Sequence, residues 1–117
     1  MLLVFDIGNT QIKMGVFKGE QLINSWRMTT ATQKTTDEYG STIGMMLQMA
    51  HIDIEQIHSV VISSVVPHIM HYFCNAVRRY IGCEPLVIGP GIKTGIAIKT
   101  ENPKEVGADL IADVAAA

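Results

Sequence analysis

The sequence predicts an α/β layer sandwich built on a mixed sheet. Three observations carry that prediction. Near the N-terminus, three short apolar or alternating segments follow one another through tight turns, the pattern of an antiparallel meander. Beyond them, helix-length and strand-length segments alternate, which calls for added strands with helices covering the faces. Finally, HSVVISSVVP (58–67) is an apolar, β-branched run closed by proline, as in parallel strands buried on both sides.

The elements follow in order. Residues 2–6 (LLVFD) read as a buried strand that ends on a carboxylate. QIKMGVF (11–17) alternates Ile12, Met14 and Val16 against Gln11, Lys13 and Gly15, the period of a half-buried strand. KGEQ (18–21) is a turn and QLINSWRM (21–28) a third strand, with Trp26 read as core. The polar stretch 29–40 leads into a helix whose start is marked by Thr35 and Glu38, a capping-box spacing. Ile43, Met46, Leu47 and Ala50 give that helix an apolar face, and the methionines of GMMLQM read as core filler. After the 58–67 strand, residues 68–82 have the length of a crossover helix, with Arg78 and Arg79 near its end and Gly82 as cap. These arginines read as serving the helix dipole or a partner surface. EPLVIG (84–89) is the next buried strand, followed by a glycine-rich loop (89–95) and a short strand (96–100). A last helix opens with Asn102 as cap, Pro103 in its first turn and Glu105 three residues after the cap. The chain stops on VAAA with no helix stop signal, which reads as a piece of a longer protein.

Composition narrows the function classes. The chain has 117 residues, 48% hydrophobic and 17% charged, a globular balance with enough length for one core. Nine basic and eleven acidic residues are scattered without runs, so there is no electrostatic footprint for nucleic acid or an anionic membrane. No stretch approaches the ~20 apolar residues of a membrane span, and the first apolar run is too short for a signal-peptide core. Cys74 and Cys83 lack metal-ligand spacing and read as core or half-buried residues of a reduced cytosolic protein. His68 and His71 have an i, i+3 spacing compatible with a metal, yet without a third ligand nearby they read as surface or interface histidines. His51 and His58 flank a loop and carry no signal.

The segment DIGNT (6–10) is where chemistry enters. A carboxylate at the end of a buried strand, then glycine, asparagine and threonine, can form a nest of backbone N–H groups that suits phosphate oxygens. Lys13 would add a compact positive charge. Asp6 would hold a hydrated magnesium ion, since hard cations prefer carboxylate and water. The competing reading is an Asx-type hairpin turn in which Asp6 and Asn9 only cap backbone groups.

DIGNT in the first hairpin, with this element order, resembles the phosphate-binding motif of the acetate and sugar kinase, Hsp70 and actin superfamily. Within it, DIGNT (6–10), TTDEYG (35–40), ISSVVP (62–67) and GPGIKTG…ENPKEVGAD (89–109) together resemble type III pantothenate kinases. That resemblance implies a ribonuclease H-like, actin-like ATPase fold with the first three strands antiparallel and helices on the faces. It implies transfer of the γ-phosphoryl group of ATP to pantothenate, the first step of coenzyme A synthesis. Asp6, Ile7, Gly8, Asn9, Thr10, Gln11, Ile12 and Lys13 would carry the ATP phosphates, with Asp6 at Mg²⁺. Gly107, Ala108 and Asp109 match the pantothenate-contacting motif, with Asp109 as general base, and Thr100 and Leu110 fall at the same acceptor site. The family further implies a cytoplasmic homodimer and a monovalent cation, K⁺ or NH₄⁺. Its members are about twice this length, so residues 1–117 read as the N-terminal actin-like domain, the second domain lying beyond this chain.

The sequence departs from the family pattern at named places. Leu110 stands where the family has an arginine facing the pantothenate carboxylate, and Thr100 where an aromatic is common. Asp113 replaces an amide, and Gln11 stands where asparagine is common. Two alternatives therefore stay open. One is a nucleotide-binding relative without catalysis, acting as a transcriptional accessory factor. The other is a kinase of the superfamily with another small acceptor.

Overall fold

A computed structural model describes residues 1–30, 34–64 and 66–88 of the chain. The predicted glycine-rich loop, the 96–100 strand and the final helix lie outside the described residues. In chain order the elements are β1 (Leu2–Ile7), β2 (Gln11–Lys18), β3 (Gln21–Thr29), α1 (Thr36–Met49), β4 (Ser59–Ser64), α2 (Pro67–Ala76) and β5 (Leu86–Ile88). A short 3₁₀ turn (Ile54–Gln56) precedes β4, and a π-helical turn (Val77–Ile81) continues α2.

Among the described residues the strands form one sheet of order β3-β2-β1-β4-β5. β1, β2 and β3 pair antiparallel, whereas β4 runs parallel to β1, and β5 parallel to β4. Tight turns suffice for the antiparallel pairs, and the parallel ones need the helical crossovers that α1 and α2 supply. Gly19, at φ +64°, takes the left-handed position in the β2–β3 turn.

Side-chain alternation sorts the sheet into two faces. Leu3, Phe5 and Ile7 of β1, with Ile12, Met14 and Val16 of β2, are buried toward α1 and α2. Val4, Phe17, Val61 and Ile88 form a second, smaller buried cluster on the opposite face. Phe73 of α2 ties the main core together. Its ring meets Phe5 edge-on at 4.8 Å and Tyr39 of α1 at 5.2 Å. Each such pair contributes about 0.5–1.5 kcal/mol beyond burial. With Phe5 fixed in the core, its neighbour Asp6 must point to the other face.

The predicted capping box is present. Thr35 Oγ1 accepts the Glu38 N–H at 3.2 Å, and Glu38 Oε1 accepts the Thr35 N–H at 3.0 Å. Other expectations need correction. Met45 and Met49 are 55% and 72% exposed, so they are not core filler; only Met46 of the three packs against the core. The helix expected at 68–82 is α-helical only to Ala76, then widens into the π turn before Gly82 closes it at φ +85°. Arg78 and Arg79 do lie in the last helical turn, as expected, and each also forms an ion pair. Arg78 forks onto Glu84, with Nη2 at 2.8 Å, and Arg79 reaches Asp37 of α1 at 3.1 Å. The Tyr80 hydroxyl donates to the same Asp37 carboxylate at 2.8 Å.

The TTDEYG motif is therefore largely architectural. Gly40 explains its last position. A Cβ there would fall 2.1 Å from Cδ1 of Tyr80, so the ring of the π turn lies directly on the α1 backbone. Among the described residues, no helix is long and apolar enough to cross a membrane.

Candidate functional site

The site is assembled at the C-terminal end of β1, where open α/β sheets present ligands. Sheet register lines up a row of polar residues across four strands. Asp6 pairs with Lys13 on β2 and with Ser63 on β4, and Lys13 pairs with Arg27 on β3. Directly paired residues share a face, so this row lies opposite α1 and α2. It continues the face of Val4, beyond the apolar cluster.

Asp6 is half-buried, and β1 runs one residue past it, so it is the penultimate residue of the strand rather than its end. Burial pushes its carboxyl above the ordinary carboxylate value, and the Lys13 ammonium pulls only part of the way back. A carboxylate left in this condition gains from any cation brought to it. Lys13 is likewise half-buried, and Arg27 is exposed.

The turn beyond Asp6 is held from inside. Gly8 N–H donates to the Gln11 carbonyl at 2.8 Å. That donor is thereby consumed and does not face a ligand. Gly8 keeps negative φ, since Gly19 and Gly82 are the glycines with positive φ among the described residues. Its role is spatial instead: a Cβ would stand 3.2 Å from the Gln11 carbonyl oxygen. Thr30, just past β3, donates its N–H to the Thr10 carbonyl at 2.9 Å and its hydroxyl to the Gly8 carbonyl at 2.8 Å. Asn9, Thr10 and Gln11 are exposed. The side chains of Asn9 and Thr10 have no hydrogen-bond partner among the described residues, nor have their backbone N–H groups.

The predicted segment 6–13 thus divides. Ile7 and Ile12 are fully buried in the main core, leaving only their backbone to a ligand. Asp6 and Lys13 face outward together, and Asn9, Thr10 and Gln11 form the open tip. Thr100, Gly107, Ala108, Asp109 and Leu110 lie outside the described residues. Sequence reasoning missed Arg27 and Thr30, whose relation to the turn depends on strand register. Of the side candidates, His68 and His71 are exposed, and His71 lies 3.4 Å from the Asn75 amide. Among the described residues no three His, Cys, Asp or Glu side chains converge to hold a metal. Cys74 is buried and Cys83 half-buried, both as free thiols.

The arrangement offers one carboxylate, one ammonium and a tip of unsatisfied N–H donors. An all-protein cage for a cation is not present among the described residues. A single carboxylate instead suits a magnesium ion that keeps its waters and is carried largely by phosphate oxygens.

In structure, the chain is similar to a Porphyromonas gingivalis protein provisionally described as an N-acetylglucosamine kinase. The TM-score is 0.58 at 15% identity, over 76% of this chain and 34% of that one. At that identity the likeness establishes a shared fold and nothing further. In sequence, the chain is 47% identical over 116 residues to the type III pantothenate kinase of Geobacter sulfurreducens. The match takes in 99% of this chain and 46% of the relative, so the chain spans about half the relative's length. The profile of the type III pantothenate kinases matches residues 2–117. With this sheet, this turn and that match along its whole length, the chain belongs to the type III pantothenate kinase family.

Proposed function

We propose that residues 1–117 form the N-terminal, phosphate-binding domain of an enzyme that phosphorylates pantothenate with ATP, opening coenzyme A synthesis. The observation that supports this best is Asp6. Its carboxyl is half-buried, raised by desolvation, opposite Lys13 and beside an open turn. A carboxylate whose burial is only partly offset by one ammonium gains from a cation brought to it, which makes it a candidate ligand group.

In this reading the Asn9–Thr10 tip and Lys13 receive phosphate oxygens, and Asp6 holds the hydrated Mg²⁺ that accompanies ATP. The ion would neutralise charge on the phosphates. Ile7 and Ile12, locked in the core, fix the two strands so that Asp6 and Lys13 stay in register. Asp109 accepts the proton of the pantothenate hydroxyl as it attacks, for phosphoryl transfer needs orientation and charge compensation above all. Gly107 and Ala108 leave room for the acceptor beside it, with Thr100 and Leu110 at the same site. The family reading adds a second domain, a K⁺ or NH₄⁺ ion, a cytoplasmic location and a homodimer.

The test is phosphoryl transfer by the full-length protein and its Asp109→Asn variant. The variant should bind nucleotide as before and lose roughly 10²–10⁴-fold in turnover, the range for a positioned base. Equal loss of ATP binding and turnover would reduce Asp109 to a helix-terminus acid. Leu110 favours a second reading, because it removes the expected partner of a carboxylate. Should the wild-type protein bind ATP yet leave pantothenate untouched, the non-catalytic or other-acceptor reading replaces this one.

A further inference from the structure

We infer that Thr30 is a positioning residue for the phosphate site, setting the direction of the Gly8–Asn9 peptide. The inference rests on the phosphate reading of the 6–13 segment and deepens it. In an ordinary two-residue hairpin, the carbonyl of the first flanking residue accepts the N–H of the last. Here Gly8 gives its N–H to Gln11, but its carbonyl is engaged by the Thr30 hydroxyl at 2.8 Å, from 22 residues away in sequence. The next carbonyl but one, that of Thr10, accepts the Thr30 N–H at 2.9 Å. One residue therefore ties both carbonyls that border the open tip.

Peptide planarity gives this a consequence for binding. In a trans peptide the C=O and the following N–H point in opposite directions, and no cis bond occurs among the described residues. Holding the Gly8 carbonyl toward Thr30 turns the Asn9 N–H away from Thr30, and that N–H has no partner among the described residues. If the hydroxyl is lost, the peptide can rotate and bring a carbonyl oxygen toward the anion, replacing a donor by a repelling acceptor. The half-buried setting of Thr30 makes its bond to Gly8 harder for water to replace. Its hydroxyl bonds the Gly8 carbonyl of the phosphate turn, so its influence should fall on the nucleotide.

The experiment uses the full-length protein with three substitutions: Thr30→Val, which keeps the shape and the backbone N–H; Thr30→Ser, which restores the hydroxyl; and Asp6→Asn as a control on the site. The readouts are the KM for ATP, the KM for pantothenate, and direct binding of ADP. Thr30→Val should raise the ATP KM and weaken ADP binding roughly 2- to 13-fold, the span for one hydrogen bond. The pantothenate KM should stay within about twofold, and Thr30→Ser should recover most of the nucleotide affinity. If Thr30→Val binds ADP like wild type while Asp6→Asn loses turnover, the positioning role is overturned and the phosphate reading survives. Parallel loss of both substrates and of thermal stability would show a general structural role and overturn it as well. If Asp6→Asn turns over normally, the phosphate reading fails and this inference with it.

Discussion

Gly40 and Gly44 make opposite predictions from the same helix. Both lie inside α1, four residues apart, where alanine is favoured over glycine by about 0.8–1.0 kcal/mol through backbone entropy. A Cβ at Gly44 would meet nothing within 4 Å, so Gly44→Ala should gain nearly that amount. At Gly40 the same methyl would sit 2.1–2.5 Å from three ring carbons of Tyr80. The ring cannot simply swing aside, because its hydroxyl is bonded to Asp37 and Arg79 holds the same carboxylate. Overpacking of this kind costs about 1–3 kcal/mol, and loss of the Tyr80–Asp37 bond would add about 1. Gly40→Ala should therefore come out destabilised by roughly 1–3 kcal/mol after the propensity gain. The assay is thermal melting of the full-length protein, where 1 kcal/mol is about 2–4 °C at this scale. Gly44→Ala should raise Tm and Gly40→Ala lower it, and adding Tyr80→Ala to the latter should recover the propensity gain. If Gly40→Ala melts as high as Gly44→Ala, the Tyr80 ring does not lie on the α1 backbone at Gly40.

Thr35→Ala removes one half of the capping box and should lower stability by about 0.5–2 kcal/mol, read by the same melting assay. Stability against pH should carry two opposing carboxylate signals. Asp37 is held below its ordinary value by the Tyr80 hydroxyl and Arg79, and Glu84 by Arg78, so their contributions exist at neutral pH and fade as pH falls through the carboxylate range. Asp6 is raised by burial, so its contribution is present at low pH and disappears as pH rises through its folded value. Asp6→Asn should thus stabilise the nucleotide-free protein at pH 7 and have no such effect near pH 3, checked by melting at both. Leu110→Arg should lower the pantothenate KM roughly 10- to 150-fold with kcat little changed, as a charged hydrogen bond of about 1.5–3 kcal/mol would do. An unmoved KM would mean that another residue holds the carboxylate.

Much of this was legible in the sequence, because the signals were local. Alternation of Ile12, Met14 and Val16, the Thr35–Glu38 spacing and the glycine caps each depend on a few neighbouring residues. The site was legible only as far as it is contiguous. Asp6 and Lys13 could be read from one hairpin. Arg27 could not, because a register shift between Val16 and Phe17 changes which β3 residue faces Lys13. Counting back from the 18–21 turn without that bulge would place Trp26 opposite Lys13 instead. Thr30 escaped for a related reason: its bond to Gly8 spans 22 residues and has no local signature. Met45 and Met49 were misread because a methionine run on a helix does not say which side the core is on. The π turn over Val77–Ile81 has no local sequence signature either, and Tyr80 within it packs on Gly40, a contact between residues 40 apart.

The most direct test of the central claim is turnover of ATP by full-length Asp6→Asn, measured beside its melting temperature. Asparagine keeps the size of the side chain and removes the charge that would face the metal and phosphates. A loss of roughly 10²–10³-fold in kcat is expected, the scale for removing one preorganised group that stabilises transition-state charge, with the Tm of the nucleotide-free protein at pH 7 raised. Turnover within a few fold of wild type, or a loss matched by a fall in Tm, would contradict it.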